Sequence, residues 1–129
     1  MTTLRLTTMR ATDSERAVLR EALTAFGTRA RLSVDLIELE WDTAWSDIVN
    51  YVVRHDSPDV SLVGTTWVAP LCGMQALRSF SVVESHLFGG PDSYLASAWE
   101  AGRIGQALWA LPWQIDTRVW FFWRPALAR

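Results

Sequence analysis

Apolar positions in the first part of the chain recur at two spacings, which predict strands that alternate with helices. Thr12 and Glu15 have the spacing of a capping box, and apolar residues then recur at helical spacing as far as Gly27, which we expect to end the helix. The predicted strands cover 4–6, 32–39 and 59–63, and the predicted helices cover 13–26, 43–54 and 68–77. This order is typical of an α/β fold of Rossmann-like topology, in which helices flank a mainly parallel sheet.

The rest of the chain has a less regular pattern. Residues 79–90 are predicted to be irregular, 91–101 to form a helix, and 106–111 and 118–123 to form strands on either side of Pro112. Large apolar residues occupy every position from 119 to 123, and such a strand needs cover on both faces. We therefore interpret the chain as one lobe of a larger protein.

The composition excludes several classes of function. The chain has 129 residues, of which 50% are apolar and 20% charged, as expected for one globular domain with its own core. Its 12 Lys or Arg residues are all Arg, which excludes lysine Schiff-base chemistry and the phosphate-binding lysine of a P-loop. A net charge of -2 provides no basic surface for nucleic acid. Residues 1–5 are not expected to begin a signal peptide, because no apolar core follows them.

The 8 tryptophans are the first indication of a ligand. Indole rings stack on sugars, bases and cations, and open parallel sheets bind ligands outside the carboxyl ends of their strands. At that edge, Thr65 and Thr66 place two hydroxyls beside Trp67, a set suited to a neutral, hydroxyl-rich ligand. The alternative is a capped helix start with Trp67 in the core. Three further tryptophans are predicted to lie in the core: Trp45, Trp99 and Trp109.

A second candidate site follows Pro112. Trp113 offers a stacking ring, Asp116 a carboxylate that accepts hydrogen bonds from sugar hydroxyls, and Arg118 a guanidinium that donates them. The alternative is an ordinary surface ion pair, because Asp116 and Arg118 are two positions apart on one strand face.

Catalysis, metals and cofactors are not expected. Glu38, Glu40 and Asp42 have a spacing that permits glycoside hydrolysis by two carboxylates, but nothing in the sequence raises the pKa of one of them for acid catalysis. The two histidines carry no catalytic motif. Cys72 has no second cysteine for a disulfide or a zinc site, and its apolar neighbours predict a small buried hydrophobe.

Three segments together resemble one known family. They are Ser57-Pro58-Asp59-Val60, Gly64-Thr65-Thr66-Trp67-Val68 and Leu111-Pro112-Trp113-Gln114-Ile115-Asp116-Thr117-Arg118. Their order and spacing are similar to those of the carbohydrate-binding group of bacterial extracellular solute-binding proteins, the receptors of ABC importers. The resemblance implies that residues 1–129 are the N-terminal lobe, in which 118–123 makes the first hinge crossing, and that the second lobe is absent.

The resemblance also implies a function. Members of the family clamp a sugar between two lobes in the periplasm or outside the cell and deliver it to an ABC permease, without catalysis or a cofactor. Carried over by position, the ligand-binding residues are Trp41, Thr65, Thr66, Trp67, Trp113, Asp116 and Arg118. Two alternatives stay open. One is a small glycoside hydrolase that uses Glu40, Asp42 or Asp116, and the other is an interaction module that pairs with a partner through the strand Trp120–Trp123.

Overall fold

A computed structural model describes residues 2–116 and 123–124 of the chain. Its first half alternates strands and helices as the sequence predicts. The strands are β1 (Thr3–Met9), β2 (Ser33–Leu39), β3 (Val60–Ser61), β4 (Arg103–Ile104) and β5 (Ala107–Leu108). The helices are α1 (Asp13–Ala30), α2 (Trp41–Val53), α3 (Val68–Gly73), α4 (Val82–Leu87) and α5 (Ala96–Ala101), with 3-10 turns at Thr65–Trp67 and Pro91–Ser93.

The main sheet confirms the predicted α/β class. Its order is β2-β1-β3, and both pairings are parallel. The register of β1 with β2 runs from Thr3 opposite Ser33 to Met9 opposite Leu39. β1 is longer than the predicted 4–6 because it is the central strand and has a partner at each edge. β3 is shorter than predicted, since only Val60 and Ser61 are assigned to the ladder with β1.

Helices cover both faces of the sheet. Side chains of a strand point alternately to its two faces, so Met9 and Leu39 share one face while Leu6 and Leu36 share the other. On the first face, α2 and α3 close a buried core around Met9 and Leu39. On the second face, α1 packs against β2. The carboxyl ends of the parallel strands are left at one edge of the sheet.

α1 begins as predicted and ends later. The Thr12 hydroxyl accepts a hydrogen bond from the Glu15 backbone N–H, and the Glu15 carboxylate accepts one from the Thr12 backbone N–H, so the capping box is confirmed. Gly27 was expected to end the helix but lies inside it. Arg31 forms the left-handed cap at φ 56°. Gly27 is needed for another reason: a Cβ there would lie 2.8 Å from the Leu32 carbonyl oxygen, where the chain folds back over the helix.

The second half departs further from the sequence analysis. The irregular prediction for 79–90 is wrong, because Ser81 and Glu84 form a second capping box that starts α4. The helix predicted over 91–101 is divided at Tyr94, whose backbone is extended. Residues 106–111 contribute only β5, which pairs with the unpredicted β4. A strand was also predicted over 118–123, but residues 118–122 lie outside the described part of the chain. Within the described part, no helix has both the length and the apolar character to cross a membrane.

Candidate functional site

The carboxyl edge of the parallel sheet brings together segments from different parts of the sequence. β1, β2 and β3 run in the same direction, so the residues that follow them meet at this edge. Arg10 follows β1, and Glu40 leads directly from β2 into α2. The 3-10 turn Thr65–Trp67 comes shortly after β3. The segment Thr65–Trp67, which the sequence analysis assigned to this edge, follows β3, and β1 separates β3 from β2.

Three tryptophans are in contact at this edge, and we call Trp41, Trp45 and Trp67 the tryptophan cluster. The ring centroids of Trp41 and Trp67 are 6.2 Å apart with an interplanar angle of 61°. Those of Trp45 and Trp67 are 5.6 Å apart with an angle of 55°. These are tilted, edge-to-face arrangements of the kind that aromatic pairs prefer.

Local structure explains how the cluster forms. Trp41 is the first residue of α2, and Trp45 follows four positions later, so both side chains lie on the same side of the helix. The 3-10 turn is closed by a hydrogen bond from the Trp67 N–H to the Gly64 carbonyl oxygen at 2.9 Å. The Trp67 indole folds back over Gly64, within 3.7 Å of the position that a Cβ would take there.

The three rings differ in burial. Trp67 packs against the buried core cluster that includes Met9 and Leu71. Trp41 is 59% exposed and Trp45 is 37% exposed. Burial of a large aromatic side chain is strongly favourable, so the exposure of two adjoining indoles is unusual for a purely structural cluster. One anchored ring and two accessible rings form an apolar surface that a flat ligand can contact.

Thr65 and Thr66 lie exposed beside Trp67. The residue that caps the 3-10 turn is Gly64, and no side chain makes a capping hydrogen bond there. This observation argues against the capping half of the alternative left open by the sequence, while the packing of Trp67 on the core agrees with its other half. Within the described residues, neither threonine hydroxyl has a hydrogen-bond partner in the protein. Both are therefore available to a ligand.

The carboxylates near this edge have different partners. Glu38 points to the α1 face, where its carboxylate accepts a hydrogen bond from Arg16 Nε at 2.7 Å. That hydrogen bond holds the pKa of Glu38 below its ordinary value, the opposite of what a catalytic acid needs. Glu40 instead forms an ion pair with Arg10 at 2.7 Å, and Asp42 is exposed at the start of α2.

The second candidate site is only partly described. Trp113 and Asp116 are both exposed. Trp113 makes no aromatic contact with the tryptophan cluster, and Asp116 forms no ion pair with the residues that the structure describes. Arg118 lies outside those residues. The stacking and hydrogen-bonding roles of Trp113, Asp116 and Arg118 therefore stay predictions.

Trp45 belongs to the tryptophan cluster, but the sequence analysis did not name it as a candidate site residue. It was assigned to the core, but it is exposed and in contact with Trp67. Its four-residue separation from Trp41 was the available signal, since helical residues at that spacing share a face. Trp99 is buried as predicted, at 7% exposure. Cys72 is half-buried, and the described residues contain no group of His, Cys, Asp or Glu side chains placed to hold a metal ion.

The fold is that of a lobe of a periplasmic solute-binding protein. The chain is similar to the sugar-binding protein MalE from the phytopathogen Xanthomonas citri, with a TM-score of 0.76 and 21% identity over 87% of this chain and 28% of that one. A periplasmic solute-binding protein from Pectobacterium atrosepticum matches with a TM-score of 0.68 and 18% identity, over 86% of this chain and 27% of that one. UspC from M. tuberculosis matches with a TM-score of 0.68 and 11% identity, over 83% of this chain and 25% of that one.

These matches confirm the resemblance at the level of the fold. This chain spans about a quarter of the length of the solved structures it matches. No family model and no curated protein matches it. Two of the three solved structures are described as binding proteins, one of a sugar and one of a periplasmic solute.

Proposed function

We propose that the chain binds a sugar at the tryptophan cluster, as the substrate-binding lobe of a receptor that serves an ABC importer. The observation that carries the proposal is the exposed cluster of Trp41, Trp45 and Trp67 at the carboxyl edge of a parallel sheet. A fold shared with a protein described as sugar-binding supports the same assignment.

The chemistry of the site suits a pyranose. One face of a pyranose ring presents C–H groups, which pack on the apolar face of an indole, while the ring edge carries hydroxyls. Trp41 and Trp45 offer accessible indole surface, and Thr65 and Thr66 offer hydroxyls that both donate and accept. An apolar surface beside a few polar groups is the usual composition of a small-molecule site.

The proposal includes the rest of a receptor. Residues 1–129 form the N-terminal lobe, and a second lobe completes the clamp around the sugar by a hinge motion. The loaded receptor acts in the periplasm or outside the cell and delivers its ligand to the permease subunits. The lobe binds without catalysis. In support, each matched solved structure has several times the length of this chain.

Titration of the chain with neutral sugars tests the proposal. Glucose, galactose, maltose and trehalose would be followed by ligand-observed NMR up to about 100 mM, since one lobe alone is expected to bind in the millimolar range. We expect Trp41→Ala and Trp67→Ala each to weaken binding by about tenfold or more, because a stacked aromatic ring contributes roughly 1 to 3 kcal/mol.

Phe26→Ala is the matched control for loss of an exposed aromatic ring. Phe26 lies on α1, which packs on the other face of the sheet, and the side chain is 38% exposed, close to the value for Trp45. This variant should bind as the parent chain does. Binding of none of the four sugars, or equal binding by the two tryptophan variants and the parent chain, would show that the cluster is not a sugar site.

A further inference from the structure

We propose that two copies of this chain associate through the outer edge of β2, as antiparallel strands related by a two-fold axis at Val34. The two sheets of three strands then form one continuous sheet. The proposal goes beyond the sugar site and does not depend on it, because the interface lies along β2 rather than at the tryptophan cluster.

The outer edge of β2 carries backbone groups without partners. The Ser33 N–H donates to the Thr2 carbonyl oxygen at 3.0 Å, and the Leu39 carbonyl oxygen accepts from the Arg10 N–H at 2.8 Å, so the odd-numbered residues of β2 face β1. Neighbouring residues of a strand direct their N–H and C=O groups to opposite sides. Among the described residues, none forms a hydrogen bond to the outward-directed backbone groups of β2. These groups belong to Val34, Leu36 and Glu38.

This edge lacks most of the features that usually prevent pairing. Protected edges are short, or are interrupted by a bulge, a proline or charged side chains. β2 has 7 residues, each with a partner in β1, and no proline. Of its two carboxylates, Glu38 is hydrogen-bonded to Arg16, and only Asp35 is without a partner in the described part of the chain. β3, the other edge strand of the sheet, has 2 residues.

A groove beside this edge has space for the side chains of an added strand. It runs between β2 and α1, and the residues from 32 to 36 line it on the strand side. Its apolar lining is only half-buried and consists of Leu23, Leu32, Val34 and Leu36. A strand that pairs with β2 directs alternate side chains to the face of α1, and these would complete the burial of that lining.

The charges of the groove favour a second copy of the chain as the occupant. Arg31 and Asp35 both line it, both are exposed, and neither forms an ion pair with the residues that the structure describes. The third charged residue, Arg20, lies 3.8 Å from the Glu38 carboxylate. One unpaired charge of each sign is self-complementary across a two-fold axis, whereas a purely acidic or basic strand would leave one of them unpaired.

The groove also gives the register. Val34 is the midpoint of the strand residues that line it, so an axis at Val34 aligns the two grooves. Leu32 then lies opposite the partner's Leu36 on the face of α1. Arg31 becomes a diagonal neighbour of the partner's Asp35, at a separation that a long side chain spans. The axis repeats both contacts, so two apolar pairs and two ion pairs form together.

Sedimentation velocity of the chain at increasing concentration tests the proposal. We expect the mass of one chain at low concentration and of two chains by about 200 μM, with a dissociation constant in the micromolar range. Val34→Pro removes an N–H that the ladder with β1 does not use, and proline is tolerated at such edge positions. This variant should stay a monomer throughout, with a circular dichroism spectrum like that of the parent chain.

Charge reversal tests the predicted ion pairs. Arg31→Asp and Asp35→Arg should each raise the dimer dissociation constant by about tenfold or more, because like charges then meet. The double variant should recover the parental value to within about threefold. Aspartate suits position 31, where φ is 56°, because it tolerates the left-handed region. Asp92→Arg is the matched control: Asp92 is exposed, has no ion pair in the described part of the chain, and lies far from β2 in sequence.

Cysteine cross-linking locates the axis. With Cys72 replaced by alanine, Val34→Cys should form a disulfide with its copy, since hydrogen-bonded partners in an antiparallel pair have Cα atoms about 5.5 Å apart. Leu36→Cys is the matched control on the same strand and face. Its copy would lie about 13 Å away along the strand, so it should form no disulfide. Cross-linking at Leu36 and not at Val34 would show that the proposed register is wrong.

The remaining outcomes are equally decisive. A parent chain that stays a monomer up to the highest concentration overturns the proposal. A dimer that persists in Val34→Pro forms through another surface, and this also overturns it. If Val34→Pro fails to fold, the charge variants decide, because Arg31 and Asp35 are both exposed. None of these results affects the sugar site, which the tryptophan variants test separately.

Discussion

The two faces of the parallel sheet are covered in different ways. On the face of α2 and α3, which we call the closed face, Met9, Leu39 and Leu71 are all almost fully buried. The opposite face carries Leu6 and Leu36 and is covered by α1, and we call it the open face. Of the described residues of α1, only Gly27 is buried. The closed face is held by apolar packing. The open face depends more on polar contacts.

The difference shows why the tryptophan cluster has a defined geometry. Trp67 packs directly on the core of the closed face, so its position is fixed by residues that are themselves tightly packed. A groove of about 810 Å³ lies instead between α1 and β2, and Leu23 and Val34 are among the residues that line it. The groove follows the amino-terminal half of β2, away from the carboxyl edge where the tryptophans meet. Cavity size alone therefore does not locate the candidate site.

The largest expected effect comes from a cavity on the closed face. Leu71 is 1% exposed, so Leu71→Ala removes buried methyl groups and should lower the free energy of unfolding by about 2 to 5 kcal/mol. Val18 of α1 is 68% exposed, and Val18→Ala should change the free energy of unfolding by less than about 0.5 kcal/mol. Urea unfolding followed by circular dichroism measures both. Similar losses in the two variants would mean that the faces are packed alike.

Much of this fold could be predicted because its signals are local. The capping box of Thr12 and Glu15 and the period of the apolar residues are enough to predict α1 and α2. α4 was missed because its capping box, Ser81 with Glu84, starts a helix of 6 residues, too short to show a period. The exposure of Trp45 was not predictable in this way, since it depends on which side of α2 meets the sheet.

A smaller effect of opposite sign is expected inside the closed face. The Thr7 side chain is fully buried, and its hydroxyl has no hydrogen-bond partner among the described residues. A buried, unpaired hydroxyl is unfavourable, so Thr7→Val should raise the free energy of unfolding by about 1 kcal/mol. Urea unfolding gives the value.

Thr3→Val is the control for this substitution. Thr3 lies on the same strand and the same face, but it is exposed and its hydroxyl is hydrogen-bonded to Ser33 Oγ at 2.7 Å. The control makes the same chemical change and should bring no gain. If Thr7→Val destabilises the chain, the hydroxyl has a partner in solution, and the closed face is less dry than the structure indicates.

The smallest expected effect is a local response of the open face to acid. The hydrogen bond from Arg16 lowers the pKa of Glu38, and the hydrogen bonds of the Thr12 capping box lower the pKa of Glu15. Carboxyl groups with a lowered folded-state pKa contribute stability above their ordinary pKa, and this stability is lost as the pH falls below it. Both groups hold α1, so α1 should loosen below about pH 4.5.

Hydrogen exchange at single amides can compare the effect of acid on α1 with its effect on α2. Between pH 6 and pH 3, after correction for the intrinsic exchange rate, α1 amides should lose protection while amides of the apolar-packed α2 keep theirs. Exchange at single amides is a better measure here than the stability of the whole chain, because Glu84 in α4 also responds to acid. Hydrogen bonds from Arg78 and Ser81 lower the pKa of Glu84 to about 2. Glu38→Gln removes the Arg16 contribution and should leave only the response of Glu15. An equal loss of protection in α1 and α2 would show that both faces open together.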